Sequence, residues 1–358
     1  MTIIYILLAL IMFGIMITIH EAGHFFAARI AHIPVKEFAI GFGPPLLSWQ
    51  SKKHETVFYL RSIPVGGYCM FYGENDIEGK EKEDPRSFGK YPVFSRLMTI
   101  LMGPLMNFVL ALVVAFAFYL SFGIPKNAGP YVTEVHTVNQ NSPAEFAGIL
   151  VGDKIQTING RSVEENLSAI LDQEAEKGHI PMEVGVLRGY GDGQQTIKLS
   201  ATPLKSPDNG HYLLGVIVNV SAPIAWEKAG LSDAIGAAFT LCRRASTSVL
   251  NGFRSLIFKG EGFDSMTGVV GVTQMIVEET KRSSLQGYLS MMIFISINLG
   301  LVNLFPFPGL DGSRLLFLLV EAVRGKPAKR EAYVHTFGML LLLGFILFIT
   351  LRDLMRLF

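Results

Sequence analysis

Cysteine is scarce in this chain: Cys69 and Cys242 are the two among 358 residues. They are too few and too far apart for a disulfide framework or a thiolate zinc site, so both read as packing residues. Charge is scarce as well. Only 17% of residues are Asp, Glu, Lys or Arg, and they nearly cancel to a formal net charge of +1. With no basic stripe visible, nucleic acid is excluded as an expected partner. The Gly-rich stretch at 262–275 lacks phosphate-loop spacing and is assigned no chemistry. What fills the chain is apolar: half of it is hydrophobic and the mean hydropathy is +0.38, too high for an ordinary soluble domain.

Apolar runs long enough to span the roughly 30 Å of bilayer hydrocarbon occur near 2–28, 94–123, 287–307 and 335–351. They predict a polytopic α-helical membrane protein with four transmembrane helices. The first run has no basic segment before it and is expected to be retained rather than cleaved. Lys36, Lys52, Lys53, Arg61, Arg86, Lys90 and Arg96 fill the first connection, and Arg324, Lys326, Lys329 and Arg330 the third. That bias puts both connections in the cytoplasm and the long middle connection outside, although Arg352 and Arg356 reduce the asymmetry.

The expected organisation is a first transmembrane helix at 1–30 and a cytoplasmic-side sheet with a charged loop at 31–93. A second transmembrane helix at 94–123 precedes a soluble α+β domain at 128–220. An amphipathic helix and connector follow at 221–286, then a third transmembrane helix at 287–323, a cytoplasmic loop at 324–334, and a fourth helix with tail at 335–358. The alternating apolar positions and Gly-Pro punctuation of 35–72 read as a membrane-associated β-sheet. Its edge would have to be shielded or line a watery cavity. In the soluble domain, "NSPAEFAGILVGDKIQTINGRSV" at 141–163 resembles the PDZ domains of membrane and secreted bacterial proteases. Such domains bind extended segments by strand addition and often capture a peptide terminus. "LLGVIV" at 213–218 is a candidate groove strand, and 222–258 reads as a helix lying along the outer membrane surface.

The segment "ITIHEAGHFFAARI" at 17–30 sets two histidines and a glutamate inside the first span. Positions i and i+4 share a helix face, so His20 and His24 can bind one metal with Glu21 beside it to handle a water. Ionisable groups within a span are costly and mark function more often than packing. A catalytic zinc needs a third protein ligand. Asp311 is the best candidate, because Pro306 and Pro308 interrupt the third span just before it. Capping a helix that begins near Ser313 is its plainer alternative role. Depth agrees with ligation: His20 lies ~27 Å along its span and Asp311 a similar distance along the third, and both spans run in the same direction.

With these motifs assembled, the chain resembles the bacterial site-2 proteases, in the branch of the regulator-of-sigma-E protease. HEAGH matches the family's HExxH, "LDG" at 310–312 its third-ligand motif, and "GPLMN" at 103–107 its second-span motif. "GFGP" at 41–44 and "IPVGGY" at 63–68 match its membrane-associated sheet. One PDZ domain is visible, where the best-known Gram-negative members carry two. The resemblance implies a zinc metalloprotease with His20, His24 and Asp311 as ligands and Glu21 as base and later acid. It implies Asn303 near the oxyanion or the substrate backbone, and Asn107 and the Gly66, Gly67, Tyr68 strand in substrate binding. Single-span membrane proteins, trimmed beforehand by another protease, are the implied substrates. The implied location is the inner (plasma) membrane, with the PDZ domain outside and the active site near the cytoplasmic face. Two alternatives remain open at this point: another membrane zincin with Glu321 as third ligand, and a membrane-anchored PDZ scaffold with a vestigial metal site.

Overall fold

Among the described residues, four helices are long and apolar enough to cross a membrane: Ile3–Ile30, Val93–Phe122, Val269–Asn303 and Tyr333–Asp353. The structure is a computed structural model that describes all residues except 1, 75–82, 128–130, 164–165, 190–193, 208, 222–223, 263–266, 328–330 and 356–358. Parts of the charged loop and of the 262–275 stretch, together with Lys329, Arg330 and Arg356, lie outside the described residues. The chain forms two compact units, Met1–Gly123 with Lys228–Phe358, and Ile124–Glu227.

The first unit begins with α1 (Thr2–Ile30), an apolar helix rich in Leu, Ile, Met and Ala and without proline. Strands β1 (Val35–Gln50) and β2 (Val57–Phe71) follow. Each is long enough to be used twice. Glu37 to Ile40 face Met70 to Gly67 on one side and Val57 to Leu60 on the other, while Leu47 to Gln50 face Leu60 to Val57. Four short segments thus make a sheet from two strands. Phe25 of α1 sits edge-on to Phe38 and Phe58, 5.4 and 5.7 Å between ring centroids, and anchors the sheet to the helix. Ala28, Ile33, Val35, Phe71, Ile100 and Leu318 close a core between them. Below it, the buried Thr56 hydroxyl donates to the Val35 carbonyl and accepts from Arg29.

A short 3-10 turn at Phe88–Lys90 leads into α2 (Val93–Phe122), which ends at Gly123. The second unit, taken by itself, contains β3 (Ile124–Asn127), β4 (Val132–Val138), α3 (Pro143–Phe146), β5 (Lys154–Ile158), β6 (Arg161–Ser162), α4 (Leu167–Glu176), β7 (Met182–Arg188), β8 (Gln195–Ala201), β9 (Leu204–Lys205), β10 (Tyr212–Leu213), β11 (Val216–Ser221) and β12 (Ile224–Glu227). Its main sheet has the order β11-β4-β5-β7-β8, with β6 hairpinned onto β5 through Asn159-Gly160. Ile149, Ile155, Ile158, Leu171, Met182, Val184 and Val186 fill its own core. Ser142 caps α3 by accepting from the Glu145 N–H, and Asn166 caps α4. The "LLGVIV" segment is divided at Gly215, φ +77°, into β10 and β11.

Three expectations need correction. The stretch 222–258 is not helical throughout: Ile224–Glu227 pairs with Ile124–Asn127, a contact across a hundred residues that no local pattern betrays, and α5 (Leu231–Lys259) starts after it. The third span is not one helix over 287–323. It belongs to α6 (Val269–Asn303), which bends at Ser284 and stops at Asn303, because Pro306 and Pro308 have no N–H to continue the ladder. A new helix, α7 (Asp311–Arg324), follows the break, beginning two residues before the expected start at Ser313.

The last helix, α8 (Glu331–Met355), is tied back to α6 by Asp353, whose carboxylate accepts the Gly268 and Gly271 N–H groups at 2.8 and 3.1 Å. That anion sits where the orphan donors of a helix start need one. A second buried polar tie joins α2 to α7: Arg96 donates both terminal nitrogens to Glu321, at 3.0 and 2.6 Å. Arg96→Ala would leave Glu321 buried without its counter-charge and should cost about 3–5 kcal/mol. The check is denaturant unfolding in detergent, where the Arg96→Met, Glu321→Leu double variant should recover most of the loss.

Candidate metal centre

One turn of α1 carries His20, Glu21 and His24, and the helix can bury the two histidines because α2 comes unusually close. A Cβ on Gly103 would lie 2.2 Å from the His24 ring, and one on Gly23 would lie 2.4 Å from the Met102 carbonyl oxygen. Small residues on both helices therefore create the slot for the imidazole. Inside it, His24 Nδ1 donates to the Thr99 carbonyl oxygen at 3.0 Å. A carbonyl can only accept, so this nitrogen carries the ring proton and Nε2 keeps its lone pair.

Asp311 arrives from the other side. After Asn303 the chain reverses through Leu304–Leu310, with hydrogen bonds from Phe307 N to Phe305 O and from Leu310 N to Phe307 O. Gly312 makes the reversal possible, since a Cβ there would stand 2.2 Å from the Phe305 carbonyl oxygen. Leu310, extended at φ −107° and ψ 162°, is the residue at the cap. Asp311 is thereby released from capping and turns its carboxylate to the histidines. Its Oδ2 lies 3.0 Å from His20 Nε2 and 3.4 Å from His24 Nε2, and the two Nε2 atoms are 3.2 Å apart. Oδ2 is buried and makes no hydrogen bond. Three electron-rich atoms thus converge within 4.8 Å, a geometry that could hold a metal ion.

A cavity of about 340 Å³ opens beside them. Glu21 lines it and lies close to the β2 segment from Gly67 to Phe71 that forms the opposite wall, where a Cβ on Gly67 would meet the Glu21 Cγ at 3.6 Å. Farther along that wall the Phe71 N–H donates to Glu74 at 3.1 Å. Glu74 is ion-paired with Arg314 of α7, and Arg314 Nε donates to His335 of α8 at 3.2 Å.

With this geometry in view, comparison with known proteins becomes decisive: the model of peptidase family M50 matches residues 8–345. The chain belongs to that family. It is similar to the regulator of sigma-W protease RasP of Bacillus subtilis (strain 168), 30% identical with 98% of each chain covered. The metalloprotease MmpA of Caulobacter vibrioides is also 30% identical, over 97% of this chain and 94% of that one. The zinc metalloprotease RasP of Bacillus licheniformis is 29% identical, with 98% of each covered. The chain is a multi-pass membrane protein and a metalloprotease of the site-2 type.

Of the residues singled out in the M50 chain's sequence, His20, Glu21, His24, Asp311, Gly67 and Tyr68 meet at the cavity. Tyr68 is held there by its hydroxyl, which donates to Glu37 and accepts from Arg61. Gly66 stands off the lining and is required by its positive φ of +102° and by the Phe42 ring packed over it. Asn303 closes α6 and Asn107 is fully buried on α2, and neither is among the residues lining this cavity. Glu321 is taken up by Arg96 and is absent from the ligand cluster, which removes it as a third ligand. Thr99, Glu74, Arg314 and His335 went unnoticed in the sequence. For Arg314 a signal existed, as it follows Asp311 by three residues and shares its helix face.

Gly103→Ala should cut peptide cleavage at least 100-fold, because an imidazole moved by even 1 Å is out of register with the other groups. Cleavage of a reporter in detergent checks this, with near wild-type rates expected for Gly252→Ala, where a Cβ meets nothing within 4 Å.

Proposed function

We propose that this M50 peptidase uses zinc to hydrolyse peptide bonds in or near the transmembrane segment of single-span membrane proteins, after another protease has trimmed them. The observation that carries the reading is the convergence of His20, His24 and Asp311 on one point, with Asp311 Oδ2 buried and unpartnered. Two imidazole nitrogens and a carboxylate oxygen suit a catalytic zinc, which takes three protein ligands and leaves a position open. Zinc held there would supply a Lewis acid that polarises a carbonyl and makes water a nucleophile near neutral pH.

Glu21 stands outside the ligand set. It takes the proton of the attacking water and returns it to the leaving amine, the work of a general base and then acid. A substrate helix hides its peptide bonds in its own hydrogen bonds and has to be extended first. The β2 segment from Gly67 to Phe71 offers a strand edge for that, and the closeness of Glu21 to Gly67 supports a peptide paired there lying beside the base. The unit Ile124–Glu227 serves as a PDZ domain. Its end strand β11, with exposed Ile217, is the site where an extended substrate segment or a new terminus adds. The bias of Lys and Arg in the connections supports a plasma-membrane protein with this domain on the outer side.

Glu21→Gln should lower cleavage by 100-fold or more while about one zinc per chain remains. Asp311→Ala should lose both. The measurements are metal analysis and reporter cleavage on the same preparations, and substantial activity in Glu21→Gln would remove the assigned proton carrier. Deletion of 128–220 should preserve cleavage of a pre-trimmed reporter. A filtering role predicts that the deleted enzyme also gains cleavage of the untrimmed form, whereas a capturing role predicts weaker cleavage of the trimmed one.

A further inference from the structure

His20 has two ring nitrogens, and only Nε2 faces the other ligand atoms. To offer a lone pair there, the neutral ring must carry its proton on Nδ1. His20 Nδ1 faces the side-chain amide of Asn107, whose Nδ2 is placed 3.1 Å away. An amide presents a donor at one end and an acceptor at the other, and a half-turn exchanges them. In the orientation as placed, with Nδ2 toward the ring, Nδ1 has to accept, the proton sits on Nε2 between the ligands, and Asn107 Oδ1 stays buried without a partner. With Oδ1 toward the ring, Nδ1–H donates to it and Nε2 is free.

We infer that Asn107 is a positioning residue whose amide oxygen accepts from His20 Nδ1–H and so fixes the tautomer and direction of a metal-binding imidazole. The packing is arranged for it. Asn107 has no exposure to solvent, and its backbone carbonyl accepts from Ser296 of α6 at 2.9 Å. A Cβ on Gly300, one helical turn on from Ser296, would press on Phe108 and the Pro104 carbonyl, so α6 holds this turn of α2 closely. Gly103 and Asn107 are four residues apart on α2, as His20 and His24 are on α1, and the pairs meet in opposite order. Gly103 makes room for one histidine while Asn107 orients the other.

The inference deepens the zinc reading and rests on it. Its test is the zinc affinity of the full-length chain in detergent, by competition with a chromophoric chelator, for the unsubstituted protein, Asn107→Asp and Asn107→Leu. Circular dichroism of each metal-free form accompanies it. Asn107→Asp keeps only acceptors and should bind zinc as tightly as the unsubstituted chain or more so. Asn107→Leu, close in size, should bind 10- to 100-fold more weakly. Leu binding as well as Asn would overturn the inference, and so would Asp binding as weakly as Leu, the pattern expected of an amide that donates or merely fills space. If the Leu variant does not fold, retained or lost affinity in Asn107→Asp decides alone. Absence of zinc from the unsubstituted chain would remove the zinc reading itself, an outcome distinct from loss in the variants.

Discussion

Two imidazoles and a carboxylate brought together away from water are unstable company unless something positive lies among them or every other hydrogen-bonding position is satisfied. Much of the membrane unit can be understood as the scaffold for that juxtaposition. The Gly23 and Gly103 crossing admits the His24 ring, the Thr99 carbonyl takes its proton, and α6 clamps the turn of α2 that faces His20. None of these contacts is made by a flexible surface group. The centre is held by buried groups on the helices, whose backbones in a packed bundle shift little.

The second constraint is access. Apolar helices alone would seal the metal site in hydrocarbon, and an unpaired strand edge would be intolerable there unless it lined a cavity. Here the two difficulties answer each other. The edge of β2 forms a cavity wall, and the α6–α7 break delivers Asp311 to the same space. The Glu74, Arg314 and His335 chain supplies a polar lining to the same cavity.

How much of this could be read from the sequence depended on range. HEAGH was legible because its chemistry needs only the i, i+4 geometry of one helix, and Asp311 because two prolines announce a break before it. The roles of Thr99 and Asn107 were not, since nothing in "TILMGPLMN" at 99–107 says which turn of α2 will meet α1. Asn107 read as a substrate contact and proved to be buried against His20. The double use of β1 and β2 was hidden because alternation marks strands without saying how often each is paired, and β12 lay in a stretch whose partner is a hundred residues earlier. Arg96 and Glu321 looked like a topology signal and a spare ligand, and became each other's counter-charge.

The central claim is that this cluster binds zinc through His20, His24 and Asp311 and through no sulfur, although Cys69 also lines the cavity. X-ray absorption at the zinc edge of the metal-loaded, full-length protein tests it most directly. The account predicts nitrogen and oxygen scatterers alone, at about 2.0–2.2 Å, with outer-shell scattering from two imidazole rings. A sulfur scatterer at about 2.3 Å, or the signature of a single imidazole, would contradict it.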